Sequence, residues 1–234
     1  MEIKITPLSH KYHIPDFKKN NIRVYKMSED YWIENDTLHF DDLYDSILPM
    51  KTVRAMKKCQ SIHFGMEFNK IIYAKHDRNY RIPKCITTIV FSEFSFFNKP
   101  LLSNEEPWLP SKLVKLVFGQ SFNRSIDGLP ETLESLTFGE DFNQPVDNLP
   151  SNLKYLMFGE EFNKTVDLLP DGLVILKFGT YFNQSIDNLP DSIKELSLGA
   201  KFKQKINKLP QSLEKLFIKG KQIDKPEFQK LVSA

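Results

Sequence analysis

Apolar residues in this chain return at one fixed interval. Leu-Pro pairs stand at 109–110, 129–130, 149–150, 169–170, 189–190 and 209–210, a strict period of 20. Columns of apolar side chains share that period: Leu113, Leu133, Leu153, Leu173, Ile193 and Leu213 form one, and Leu116, Leu136, Leu156, Leu176, Leu196 and Leu216 the next. A third holds Phe118, Phe138, Phe158, Phe178, Leu198 and Ile218, a fourth Phe122, Phe142, Phe162, Phe182 and Phe202. A branched column follows at Ile126, Val146, Val166, Ile186 and Ile206. The local pattern L-x-x-L-x-F-G ends in apolar–polar alternation, as at Leu136-Thr137-Phe138, which predicts a short strand with one face buried. Proline before and glycine after punctuate it. A return segment such as FGEDFNQPVDNLP is too short and too broken for a stable helix. The expected architecture is mainly β: a leucine-rich-repeat-like solenoid of ~20-residue units, with a parallel sheet and capping ends. One such unit buries too little apolar surface to fold alone, so only stacking stabilises it.

Two polar columns accompany the apolar ones. Asn123, Asn143, Asn163 and Asn183 follow the second Phe, with Asn69 and Asn98 matching upstream. Amides there are placed to bond the backbone of their own and the adjacent coil. Asp127, Asp147, Asp167 and Asp187 form the other column. Stacked carboxylates can hold calcium, but no glycine-rich Asp motif accompanies these, and turn capping is the favoured reading.

Upstream the pattern decays. PKCITTIVFSEFSFFN (83–98) and CQSIHFGMEFNKII (59–72) keep the apolar positions, and Leu38-His39-Phe40 with Tyr44 forms a fainter unit. This reading gives seven strands, with an eighth as the upper count. WIENDTLHF predicts a hairpin around Asn35-Asp36. A stack exposes a full layer of core at each end, so residues 1–55 are read as an N-terminal cap region, 56–218 as the solenoid and 219–234 as a C-terminal cap. In the last of these, Asp224 is a candidate N-cap, with Phe228, Leu231 and Val232 on one helical face.

Residues flanking the inward Leu and Phe point outward, and stacking aligns them into one sheet face. One outward column reads Thr88, Lys115, Ser135, Tyr155, Ile175, Glu195, Lys215, its neighbour Val90, Val117, Thr137, Met157, Lys177, Ser197, Phe217. These vary from unit to unit where the inward columns are uniform. Tyr155, Met157 and Ile175 form an apolar patch with Lys177 beside it, and with Val117 they are the candidate partner-binding residues. The competing reading is that another segment, such as the N-terminal region, folds over this patch and buries it.

Composition narrows the function classes. Net charge is +2, from 32 basic and 30 acidic residues, which argues against nucleic acid or an anionic membrane as partner. Hydrophobic content of 41% suits a packed core, and no apolar run is long enough for a transmembrane helix. The start lacks the apolar core and cleavage site of a secretory signal, so a cytoplasmic location is expected. Cys59 and Cys85 are read as buried thiols in core columns rather than as a disulfide framework or nucleophiles. His10 and His13 have a spacing compatible with a shared metal, yet no Cys or carboxylate pattern completes a site. No nucleotide or nucleophile fingerprint occurs, and the regular array contains neither His nor Cys. The expectation is a non-enzyme with no cofactor.

The string FGEDFNQPVDNLP resembles the FNIP repeat, a leucine-rich-repeat relative found mainly in social amoebae and in giant viruses that infect amoebae. Phe142-Asn143-Gln144-Pro145 and Phe97-Asn98-Lys99-Pro100 match its F-N-x-P core. Phe-Asn recurs at 68, 122, 162 and 182, and Ser125, Thr165 and Ser185 stand at the proline position after the last three. Family units are usually slightly longer than these. The resemblance, over about residues 56–218, implies an interaction scaffold with a protein partner and carries over no catalytic residue. Several members resemble ubiquitin-ligase adaptors in which an F-box precedes the repeats. LYDSILPMKTVRAM is faintly similar to such a segment, making a substrate adaptor that binds a Skp1-type protein the alternative.

Overall fold

The computed structural model describes residues 24–26, 31–44, 50–70, 82–103 and 106–233. Strands β1 (Val24–Lys26), β2 (Tyr31–Glu34) and β3 (Thr37–Phe40) come first, followed by helix α1 (Met50–Met56), β4 (Ser61–Phe64) and β5 (Thr88–Phe91). A small side hairpin, β6 (Leu102–Ser103) and β7 (Glu106–Pro107), precedes the regular array. That array is β8 (Lys115–Val117), β9 (Ser135–Thr137), β10 (Tyr155–Met157), β11 (Ile175–Lys177), β12 (Glu195–Leu198) and β13 (Lys215–Ile218). Strand β14 (Lys221–Ile223) and helix α2 (Lys225–Ser233) end the chain.

Among the described residues all strands except the side hairpin lie in one sheet, in the order β1-β2-β3-β4-β5-β8-β9-β10-β11-β12-β13-β14. From β3 to β13 neighbouring strands pair in parallel, nine strands among the described residues. That exceeds the expected seven or eight. The units named from the sequence already make nine: six regular, two upstream and the faint Leu38-His39-Phe40 unit, whose β3 pairs with β4 as Leu38↔Ile62 and His39↔His63. Its inward residues Leu38, Phe40 and Tyr44 are buried like those of any later coil.

Each coil is built the same way. The carbonyl of the Leu-Pro proline accepts the N–H three residues on, Pro130 from Leu133 at 3.1 Å and Pro150 from Leu153 at 3.2 Å, turning the chain into the strand. Inward Leu and Phe then fill the interior. Within the coils from Phe118 to Phe182 the two Phe rings stack at 3.6–3.7 Å between centroids, as in Phe138–Phe142 and Phe178–Phe182, and upstream Phe64–Phe68 and Phe91–Phe97 stack at 4.4 Å. Between coils the rings continue at 5.7 Å for Phe138–Phe158 and 6.1 Å for Phe142–Phe162. Such offset ring stacks add to the area they bury. Glycine follows the inward Phe because the coils nearly touch there: a Cβ on Gly159 would fall inside the carbonyl oxygen of Gly139. From β8 to β13 the return segments contain turns and no helix, whereas the return between β3 and β4 carries α1.

The asparagine column forms the expected ladder. Each Oδ1 accepts the backbone N–H of the Asn one coil on, Asn98 to Asn69, Asn123 to Asn98, Asn143 to Asn123 and Asn163 to Asn143, all at 3.1 Å, then Asn183 to Asn163 at 2.9 Å. The aspartates serve the turns. The Asp187 carboxylate accepts the backbone N–H groups of Asn207 and Lys208 and the Asn207 side-chain amide. These bonds hold its carboxyl below the usual carboxylate range.

The ends are closed by hairpins. Asn35 and Asp36 adopt φ of 46° and 60°, both left-handed as a two-residue turn between twisted strands requires, and β1, β2 and β3 pair antiparallel. At the other end Lys219 and Gly220 turn the chain back at φ 54° and 76°, and β14 runs antiparallel to β13. This second hairpin was not evident from the pattern. Asp224 stands immediately before α2, its carbonyl accepting the N–H of Glu227 at 2.8 Å, and Phe228, Leu231 and Val232 pack on the core. One expectation is overturned: Cys59 is buried in the Leu113 column, but Cys85 is exposed. Ile86 takes the inward place in that coil, and the Cys85 thiol lies one position earlier, donating to the Met56 carbonyl at 3.6 Å.

Candidate interaction face

Alternation along each strand turns one residue in two away from the core, and strict register lines these up. Tyr155 pairs with Ile175 and Met157 with Lys177 across β10 and β11. The Tyr155 hydroxyl lies 3.5 Å from Met157 Sδ. Four of the five candidate residues are thus assembled on two adjacent strands. Val117 is not among them: it pairs with Thr137, which pairs with Met157, so it stands two strands away beside Val90. Met157 is 38% exposed, and Tyr155, Ile175 and Lys177 are half-buried. Whether residues 1–23 cover this patch lies outside the described residues.

Charge borders the patch on one side. Lys177 Nζ is 2.7 Å from Glu195 Oε1, and Lys215 Nζ is 3.7 Å from Glu195 Oε2. The hydrogen bond and charge of Lys177 hold the Glu195 carboxyl below its ordinary value, while Glu195 raises the Lys177 ammonium. Lys177 is therefore already engaged, and the free apolar surface is Tyr155, Met157 and Ile175.

The same outward column contains a feature the sequence reading missed. His39 and His63 pair in register, their rings 4.7 Å apart with planes at 82°, and Trp32 stacks on His39 at 5.2 Å and 7°. Burial lowers both imidazoles from their ordinary value; Glu34 partly opposes this at His39, while His39 and Lys115 reinforce it at His63. The available signal was the variable slot in Leu38-His39-Phe40 and Ile62-His63-Phe64, which holds His in both. His10 and His13 lie outside the described residues. Among the described residues no three His, Cys, Asp or Glu side chains group to hold a metal ion, and no helix is long and apolar enough to cross a membrane.

Comparison with known proteins places these observations. No curated protein matches the chain. A solved structure described as "The crystal structure of CroV588 a novel circular LRR protein structure" is similar at 23% identity and a TM-score of 0.40, covering 81% of this chain. This chain spans only 44% of the length of that one. The family model for the FNIP Repeat matches residues 97–141, 142–181 and 182–221, together more than half of the 234 residues. With its Phe stacks and Asn ladder built from the F-N positions, the chain belongs to the FNIP repeat family.

Proposed function

We propose that this chain is a non-catalytic, cytoplasmic protein–protein interaction module that binds its partner through the outward sheet face around Tyr155, Met157 and Ile175. The observation that supports this is the pairing of Tyr155 with Ile175 beside an exposed Met157, on a face whose residues change from rung to rung while the inward columns stay constant. A varied, rigid face with an apolar centre suits specific recognition, because little ordering of the chain is needed on binding. Lys177, Glu195 and Lys215 would form its polar rim.

The test is an affinity pull-down from amoebal lysate, a source chosen on the family's distribution. Wild type is run beside a Tyr155→Asp/Ile175→Asp variant whose fold is checked by circular dichroism. A protein held by wild type and lost by the folded variant is the expected result. A Skp1–cullin set retained by both would move the reading to a ubiquitin-ligase adaptor acting through residues 1–60. The described part of that segment is the β1–β3 hairpins and the seven-residue α1, whose Thr52, Val53 and Met56 are buried. Loss of fold in the variant would mean that the patch is core.

A further inference from the structure

We propose that His39 and His63 form a two-imidazole site for a divalent first-row transition ion of the Ni2+, Cu2+ and Zn2+ class, on the outward face at the N-terminal end of the sheet. Their strands are hydrogen-bonded neighbours and the two residues are direct partners, so the backbone holds both rings at the same height. An imidazole nitrogen binds such an ion at about 2.0–2.1 Å and lies about 1.1 Å from its ring centre, so two rings meeting at one ion with a 90–110° angle have centres about 4.5–5.2 Å apart. The observed separation is 4.7 Å. With the rings edge to face at 82°, one of them has to turn about χ2 before both nitrogen–metal lines meet at one ion. Rotation about the soft χ2 bond selects the nitrogen presented.

Three surroundings bear on the site. Trp32 lies flat on His39 and limits the orientations of its ring. Glu34 adds negative charge near His39, and Lys115 adds opposing positive charge near His63. Burial keeps both rings in the neutral form that binds metal, so few protons compete near neutral pH. With two protein donors the remaining coordination positions belong to water, which leaves the ion open to a donor from another molecule.

Trp32 supplies the readout, because the other tryptophan, Trp108, is buried with its indole N–H bonded to the Pro100 carbonyl at 2.9 Å. Ni2+ quenches indole emission at short range and does not oxidise the exposed Cys85 thiol. Titrating Ni2+ into the full chain is expected to remove the Trp32 emission and leave that of Trp108. His39→Gln and His63→Gln, each checked for fold by circular dichroism, should each abolish the quench. Asn replaces Gln at either position where the Gln variant misfolds. A His10→Gln/His13→Gln/His76→Gln variant should keep the full response. No quench in wild type, a quench surviving in either single variant, or its loss in the triple variant would each overturn the assignment.

Discussion

Glycine 159 shows what the repeat demands of a single residue. It sits where one coil crosses the previous one, and a methyl group there has nowhere to go except into the carbonyl of Gly139. Gly172 lies in a turn of the same coil family, yet the nearest atom to an added Cβ is the Ser151 carbonyl oxygen at 3.6 Å, an ordinary contact. Opposite outcomes are therefore expected from the same substitution. Gly159→Ala should destabilise by about 1–3 kcal/mol or more, through overpacking that only separation of the coils relieves. Gly172→Ala should stabilise by about 0.4–1 kcal/mol, by restricting the unfolded chain. Urea melts of the two variants beside wild type decide it, and equal effects would mean that coil spacing is not set at the glycine column.

His39 on β3 and His63 on β4 give the fold a pH dependence. Burial lowers the imidazoles of His39 and His63 from their ordinary 6.5, and each also answers to neighbouring charge, Glu34 at His39, and His39 and Lys115 at His63. The unfolded chain therefore binds these protons more readily than the folded one. Their contribution is fully present above about pH 6.5 and is lost as pH falls below it. The lowered carboxyls of Asp187 and Glu195 act further down, losing their contribution only as pH falls below their ordinary 3.8 and 4.5. Thermal melts at pH 7 and pH 5 should show a drop in wild type that shrinks in a His39→Gln/His63→Gln variant. An undiminished drop would assign it to other groups. This strand pair also marks where reading the sequence stopped short. From β8 to β13 every column repeats, so strand, facing and register were all legible, as was the Tyr155–Ile175 pairing. Leu38-His39-Phe40 lacks the Gly and Pro punctuation of those coils, so it read only as a faint unit, and its pairing with β4 makes it a full coil. Val117 was correctly placed in its column, but a column does not state distance: two rungs of about 4.8 Å separate it from Met157. The β14 hairpin turns on Lys219 and Gly220, a local geometry outside the period.

At the scale of the whole molecule, identical register along the array makes each coil an interchangeable layer. Val114 and Glu134 carbonyls accept from the next coil in the same way as Lys154 and Val174 do, and the inward Phe and Leu columns meet chemically equivalent neighbours on both sides. Excising residues 149–168, one full period, joins Asn148 to Leu169 and brings β9 against β11, with Ser135 opposite Ile175 and Asn143 below Asn183. The shortened chain is expected to fold, with unchanged circular dichroism in shape and a smaller urea m-value in keeping with the surface removed. It lacks Tyr155 and Met157, so it should lose the partner captured by wild type. Its β3 and β4 are untouched, so the Ni2+ response of Trp32 should persist. Aggregation or a broad, uncooperative melt would show that the coils are not equivalent. A folded protein that still holds its partner would place binding elsewhere on the solenoid, since the deletion removes the centre of the apolar patch and no other part of the face.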